Sequence, residues 1–155
     1  MGNLRPKVFT WGTFDNLHDG HKEFLKRLSL LGILYVIVIP SEKKIENSGY
    51  RPIKDTETRK NDLLYFGRVE NDNLIEEVFI DSYSEGLKSL LEIRPQIFCL
   101  GYDQNLIWDK YLIEFARNHE LNITFFRMIT ANGNGVHTSS LRNQQIAKEG
   151  TADMT

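Results

Sequence analysis

Short apolar runs alternate along the chain with stretches whose apolar residues recur every three or four positions. The run Ile33–Ile39 is apolar almost throughout, which is typical of a strand covered on both faces of a sheet. Phe24, Leu28 and Leu31 instead follow the spacing of one helix face. The predicted strands are Lys7–Thr10, Ile33–Ile39, Glu77–Ile80, Gln96–Leu100 and Asn122–Arg127, and the predicted helices are His21–Leu31, Thr56–Phe66, Ser84–Glu92, Leu106–Asn118 and Ser139–Lys148.

The alternation of strands and helices predicts the fold class. Right-handed strand–helix–strand units give an α/β protein with a Rossmann-like open parallel five-stranded sheet and helices on both faces. Gly32 and Gly67 follow apolar stretches of the first two helices and are interpreted as their stops. The 155 residues suit one domain, 1–155, with a core from about residue 7 to residue 148. Ligands of such sheets bind beyond the carboxyl ends of the strands, so polar residues there are the candidates for a site.

The composition of the chain mainly excludes some classes of protein. Hydrophobic residues make up 41% of the chain and charged residues 26%, as in soluble globular proteins. A net charge of −2 offers no basic surface for nucleic acid, and no apolar run approaches the roughly 18 residues of a membrane span. The N-terminus also lacks the apolar region of a signal peptide. We therefore expect a cytoplasmic protein without nucleic-acid or membrane partners, whose one cysteine, Cys99, packs in the core.

The most distinctive segment, Gly12–His21, follows the first predicted strand and reads GTFDNLHDGH. It enters a predicted helix, and a helix N-terminus presents N–H groups and a partial positive charge, which favour an anion. His18 and His21 add two imidazoles, which in protonated form would also offset negative charge. The segment predicts a polyphosphate site, although a strand–turn–helix with a histidine cap has the same pattern. Asp15 orients the loop through backbone N–H groups or forms a plain Asx-turn.

Other polar segments occupy comparable positions. Residues 101–104, GYDQ, follow the fourth predicted strand, and residues 138–140, TSS, open the last predicted helix. Hydroxyls and N–H groups at a helix start bind phosphate oxygens or simply cap the helix. Lys43 and Lys44 lie in a long polar connection, and Arg59 lies early in the second helix. For these three cations, a solvated surface position is the alternative to a phosphate contact.

These segments, in this order, resemble the signature of the cytidylyltransferase-like nucleotidyltransferases, which carry an HxGH motif. GTFD with HDGH, RPI with a following ETR element, RPQI running into LGYDQ, and TSS look most like the archaeal-type FAD synthetases, which are FMN adenylyltransferases. Glycerol-3-phosphate cytidylyltransferase is similar in size and in the first motif. Trp11, and the acidic Asp19 inside HDGH, depart from the pattern, and these departures bear on the acceptor rather than on the superfamily.

The resemblance implies roles for individual residues. Lys44 corresponds to a catalytic lysine of related enzymes, and Arg59 would reach substrate phosphate. Asp103 would lie beside the ribose or base, and Arg127 corresponds to an arginine that contacts phosphate. The residues implied to be catalytic are His18, His21, Lys44 and Arg59, and those implied to bind the nucleotide are Thr13, Phe14, His18, Gly20, His21, Asp103, Arg127, Thr138, Ser139 and Ser140.

The implied function is transfer of a nucleoside monophosphate from a nucleoside triphosphate to a small phosphate-bearing acceptor, with release of pyrophosphate. ATP and FMN, which yield FAD, are the expected substrates. The expected cofactor is Mg²⁺, or another divalent cation, bound with the triphosphate, because no Cys, His or carboxylate cluster has the spacing of a structural zinc site. Two alternatives stay open: a CTP-dependent enzyme acting on glycerol 3-phosphate or a similar polyol or sugar phosphate, and a non-catalytic nucleotide sensor or partner subunit. A homodimer is also left open.

Overall fold

One five-stranded parallel sheet organises the molecule, whose computed structural model describes residues 4–40, 52–82, 85–101 and 106–128. The strands stand in the order β3-β2-β1-β4-β5, and each neighbouring pair is parallel. The predicted α/β fold class is therefore confirmed. The strands are β1 (Lys7–Gly12), β2 (Ile33–Val38), β3 (Ile75–Ile80), β4 (Ile97–Leu100) and β5 (Thr124–Arg127), and the helices are α1 (Asp19–Ser29), α2 (Thr56–Leu64), α3 (Lys88–Ile93) and α4 (Leu106–Asn118).

Two hydrophobic cores form because successive strand residues point to opposite faces of the sheet. Val8 of β1 belongs to one core, together with Leu25 of α1 and residues of α2. Phe9, the next residue along β1, belongs to the other core, together with Leu90 of α3 and Leu112 of α4. Helices thus cover both faces, which explains why the strands read as continuous apolar runs.

The centre of the sheet is the point at which the direction of the connections reverses. From β1 the chain crosses first to β2 and β3 on one side, and later to β4 and β5 on the other. The Thr10 hydroxyl donates to the Cys99 carbonyl at 2.8 Å, so a buried hydrogen bond also joins β1 and β4. In open α/β sheets this reversal leaves a crevice at the carboxyl ends of the two central strands, where ligands bind.

The second predicted helix is longer than expected and changes its geometry. The α-helix α2 ends at Leu64, and the chain continues as a π-helical segment, Tyr65–Glu70. Gly67 lies inside that segment, so its interpretation as a helix stop is wrong. A Cβ at Gly67 would lie 2.7 Å from two carbons of Ile75, so close packing against β3 requires glycine there. No helix in the described ranges has the length and apolar character needed to span a bilayer.

The start of α3 also differs from the prediction, for a local reason. The helix predicted from Ser84 begins only at Lys88, because Gly86 (φ +88°) and Leu87 (φ 47°) adopt left-handed backbone conformations just before it. Gly32 is needed for close approach: a Cβ there would lie 2.1 Å from the Pro6 carbonyl oxygen. The helix bounds Leu106–Asn118 are confirmed, whereas the last predicted helix, Ser139–Lys148, lies outside the described residues.

The Cys99 side chain is expected to resist alkylation in the folded protein. It is fully buried in the core, as predicted, and this burial raises the pKa of its thiol to about 12. Since the thiolate is the nucleophile, the neutral buried thiol lacks both reactivity and access. Iodoacetamide near pH 8, followed by intact mass measurement, should therefore label the denatured chain and leave the native chain unlabelled. Equal labelling rates in the two states would contradict this expectation.

Candidate active site

The loop that follows β1 has an unusual backbone held by its own side chains. Phe14 adopts a left-handed conformation (φ 50°), and its ring is buried. A Cβ at Gly12 would lie 3.0 Å from that ring, so glycine leaves the room in which Phe14 folds back. The Phe14 ring then meets the His21 ring edge-on, with the centroids 5.3 Å apart. Phe14 therefore supports His21 through its side chain, a contact that the motif alone does not indicate.

His18 and His21 cap the N-terminus of α1 together. The Nδ1 atom of His18 accepts hydrogen bonds from the N–H groups of Gly20 (3.0 Å) and His21 (3.3 Å). In return, Nδ1 of His21 lies 3.4 Å from the His18 N–H, a longer contact that completes a capping box. The two rings stack with centroids 3.8 Å apart and planes inclined by 16°. The histidine-cap interpretation is thus confirmed, and it is compatible with a ligand site.

This cap specifies which ring nitrogens carry hydrogen. A nitrogen that accepts an N–H hydrogen bond bears no proton, so each neutral ring carries its hydrogen on Nε2. Both imidazoles therefore offer an Nε2–H donor while Nδ1 completes the cap.

Asp15 links the loop to a distant segment. Its carboxylate accepts hydrogen bonds from the backbone N–H groups of Ile53 (2.8 Å) and Lys54 (2.9 Å). The prediction that Asp15 acts through backbone N–H groups is confirmed, but these groups lie 38 and 39 residues further along the chain. These bonds bridge two segments, which a plain Asx-turn does not.

Arg59 is fully buried, so the alternative of a solvated surface arginine is wrong. Its guanidinium donates to the carbonyl oxygens of Thr13 (2.8 Å), Ile39 (3.0 Å) and Lys54 (3.0 Å), and to the Thr56 hydroxyl at 3.2 Å. The contact with substrate phosphate that the resemblance implies does not fit this burial. The sequence gives no sign that Arg59 is buried, because three of its acceptors are backbone carbonyls that only the fold brings together.

Arg127 is buried as well, at the carboxyl end of β5. Its guanidinium forms an ion pair with Asp109 of α4 and donates to the carbonyl oxygen of Gly101. The side chains of Arg127 and Asp109 are only 1% and 4% exposed, so the implied phosphate contact of Arg127 does not fit either. Sequence reasoning missed Asp109. Its spacing of three residues from the buried Leu112 places it on the apolar face of α4, which is the signal that could have identified it.

Two further residues that the resemblance implies lie within the described ranges, and the others lie outside them. Gly20 lies in the first turn of α1 with its N–H bound to His18, and Thr13 is half-buried with its carbonyl bound to Arg59. Among the described residues, the structure contains no group of three or more His, Cys, Asp or Glu side chains that could hold a metal ion. The residues whose predicted roles lie outside the described part of the chain are Lys44, Asp103, Thr138, Ser139 and Ser140.

The same arrangement of strand, loop and capped helix can be compared with known proteins. The family model described as cytidylyltransferase-like matches residues 9–144, which includes every described element of the site. The chain belongs to the cytidylyltransferase-like family. The resemblance inferred from GTFD, HDGH and GYDQ is thereby confirmed at the level of the family.

FAD synthases of archaea are among the relatives of this chain. The FAD synthase of Picrophilus torridus is 28% identical over 140 residues, which cover 90% of this chain and 96% of that protein. The FAD synthase of Archaeoglobus profundus is 31% identical over 122 residues, or 79% of this chain and 74% of that protein. These relatives match the archaeal enzyme family that the motif order resembles.

Solved structures agree with the fold. A lipopolysaccharide core biosynthesis protein from Thermoplasma volcanium superposes with a TM-score of 0.67 at 25% identity, covering 81% of this chain and 97% of that one. Pantothenate synthetase from Thermus thermophilus superposes with a TM-score of 0.50 at 12% identity, covering 79% of this chain and 55% of that one. The second likeness concerns the fold alone.

Proposed function

We propose that this protein is an FMN adenylyltransferase, which converts ATP and FMN into FAD and pyrophosphate. An oxygen of the FMN phosphate attacks the α-phosphorus of ATP, and the bond from that phosphorus to the bridging oxygen of the β-phosphate breaks. The attacking phosphate is already nucleophilic, so the protein needs no serine or cysteine nucleophile. Its task is to hold two polyanions together and to stabilise the charge on the transferred group.

The observation that carries the proposal is the pair of capping histidines. A helix cap requires one acceptor, which Asn, Asp or Ser supplies at least as well as histidine. What the imidazoles add is an Nε2–H donor on each ring, at the end of a helix whose dipole favours an anion. The two rings stack with their centroids 3.8 Å apart, and a pair of neighbouring donors suits the oxygens of a triphosphate. FAD synthase relatives supply the nature of the substrates.

Residues outside the described ranges complete the proposed site. We assign triphosphate contacts to Thr138, Ser139 and Ser140, a contact with the adenosine to Asp103, and a phosphate contact to Lys44. Mg²⁺ would arrive on the triphosphate, held by phosphate oxygens and water, and would offset charge there. A cytoplasmic location and a homodimer are further proposals, and the chemistry of the site depends on neither.

A matrix of nucleotides and acceptors tests this function. ATP, CTP, GTP and UTP are each combined with FMN, glycerol 3-phosphate or a sugar phosphate, with Mg²⁺ or with chelator, and pyrophosphate and products are measured. We expect FAD from ATP, FMN and Mg²⁺, and no product from riboflavin, a matched acceptor that lacks the phosphate nucleophile. Product from CTP and a polyol phosphate would overturn the substrates but leave the reaction class. Nucleotide binding without any turnover would instead favour the sensor.

A further inference from the structure

The buried guanidinium of Arg59 joins three parts of the chain that meet beside the histidines. It donates to Thr13 in the loop after β1, to Ile39 just beyond β2, and to Lys54 just before α2. A planar guanidinium can serve three carbonyl oxygens at once, because its N–H groups point in fixed, diverging directions. The position of the loop is thereby tied to that of two neighbouring segments.

Asp15 makes a second tie between the same segments, with donor and acceptor reversed. Its carboxylate accepts from the N–H groups of Ile53 and Lys54, whereas Arg59 donates to the Lys54 carbonyl. Arg59 holds the backbone at Thr13, and Asp15 holds the loop from its own position two residues later. The residue between them is Phe14, which has the left-handed conformation and whose ring meets His21.

We propose that Arg59 and Asp15 are positioning residues for the nucleotidyl transfer: they fix the backbone on both sides of Phe14 and so hold the His21 ring in place, without contacting substrate. This inference rests on the proposed function. It replaces the phosphate contact of Arg59 with an action through Thr13 and Phe14. Such precision affects turnover, because a misplacement of about 1 Å in a catalytic group can cost about 10²-fold in rate.

Arg59→Lys and Asp15→Asn test the proposal by kinetics. The lysine ammonium cannot span the three carbonyl oxygens, and the asparagine NH₂ faces one of the two N–H donors that the carboxylate accepts. We expect each variant to lower kcat by roughly 10- to 10²-fold and to leave the KM for ATP nearly unchanged. Arg68→Lys is the matched control, since Arg68 is exposed and its guanidinium lies 3.5 Å from the Glu76 carbonyl oxygen, away from the loop after β1. A raised KM for ATP with normal kcat in Arg59→Lys would overturn the proposal, because it indicates direct contact with the nucleotide.

Amide hydrogen exchange gives a readout that does not require activity. In both variants, peptides covering residues 12–18 should exchange faster than in wild type, whereas peptides from α4 should keep their protection. Unchanged exchange in the loop would overturn the proposal. If Arg59→Lys fails to fold, Asp15→Asn alone tests the proposal. Asp15 is only half-buried, so its replacement should leave the fold intact. If wild type transfers no nucleotide, the proposed function fails, whereas faster exchange confined to the loop would still support its fixation by Arg59 and Asp15.

Discussion

Replacement of His18 or His21 by alanine is expected to lower turnover by about 10²-fold or more. Each substitution removes an Nε2–H donor that we propose binds the polyphosphate, and the loss of one preorganised donor to developing charge has an effect of this size. The measurement is the rate of pyrophosphate release at saturating substrates. His119→Ala is the control: His119 stacks on Phe115 near the end of α4, so its loss should leave turnover unchanged.

The cap role of His18 makes alanine an ambiguous substitution there, and asparagine removes the ambiguity. His18→Ala should also destabilise the fold by about 1 kcal/mol, because α1 loses its N-cap acceptor. The asparagine side chain places an acceptor near the position of Nδ1 but has nothing at the position of Nε2. His18→Asn should therefore keep the melting temperature of wild type and still lose turnover. Near-normal turnover in His18→Asn and in His21→Ala would exclude the histidines from the chemistry.

Asp109→Ala is expected to have the largest effect on stability, about 3–5 kcal/mol in the free energy of unfolding. The substitution leaves the Arg127 guanidinium buried beside β4 without its carboxylate partner, and an uncompensated buried charge is strongly unfavourable. Urea unfolding followed by circular dichroism measures the change. Glu114→Ala provides the comparison, since Glu114 is an exposed acid on the same helix and should change stability by less than about 0.5 kcal/mol.

A double variant separates the cost of a lone charge from the value of the ion pair. Asp109→Leu with Arg127→Met replaces both partners by apolar side chains, and such replacements of buried pairs are often neutral or stabilising. The double variant is therefore expected to recover most of the stability lost in Asp109→Ala. A double variant that is as unstable as Asp109→Ala would contradict this account, because the double variant contains no lone buried charge.

The parts of the fold that follow from local pattern could be predicted from the sequence. Continuous apolar runs mark strands covered on both faces, and the alternating helices then leave few arrangements of a parallel sheet. The start of α3 could not be predicted, because the left-handed residues at Gly86 and Leu87 reflect a turn that a helical pattern conceals. The interpretation of Gly67 as a helix stop failed for a similar reason, since glycine is needed there because of close packing against Ile75 of β3.

In the candidate site, too, the features that depend on neighbouring residues could be predicted, and those that depend on remote contacts could not. The motif GTFD with HDGH indicates the family, and the cap formed by His18 and His21 depends on residues three positions apart, so both are visible in the sequence. The burial of Arg59 and Arg127 is not visible, because a charged side chain is normally exposed unless partners remote in the chain satisfy it. Those partners include the Thr13 carbonyl for Arg59 and the Asp109 carboxylate for Arg127, which no motif records.

The central position of β1 has a consequence for the order in which the protein can form during synthesis. Strands β1, β2 and β3 follow one another along the chain and pair across smaller separations, whereas the hydrogen bond between Thr10 and Cys99 closes a separation of 89 residues. Contacts of such separation carry a larger loop-closure entropy and form slowly. A nascent chain can therefore assemble the first half of the sheet, with the histidines, before β4 has left the ribosome. The crevice between β1 and β4, where we propose that the nucleotide binds, forms only afterwards, so an incomplete chain would not sequester ATP.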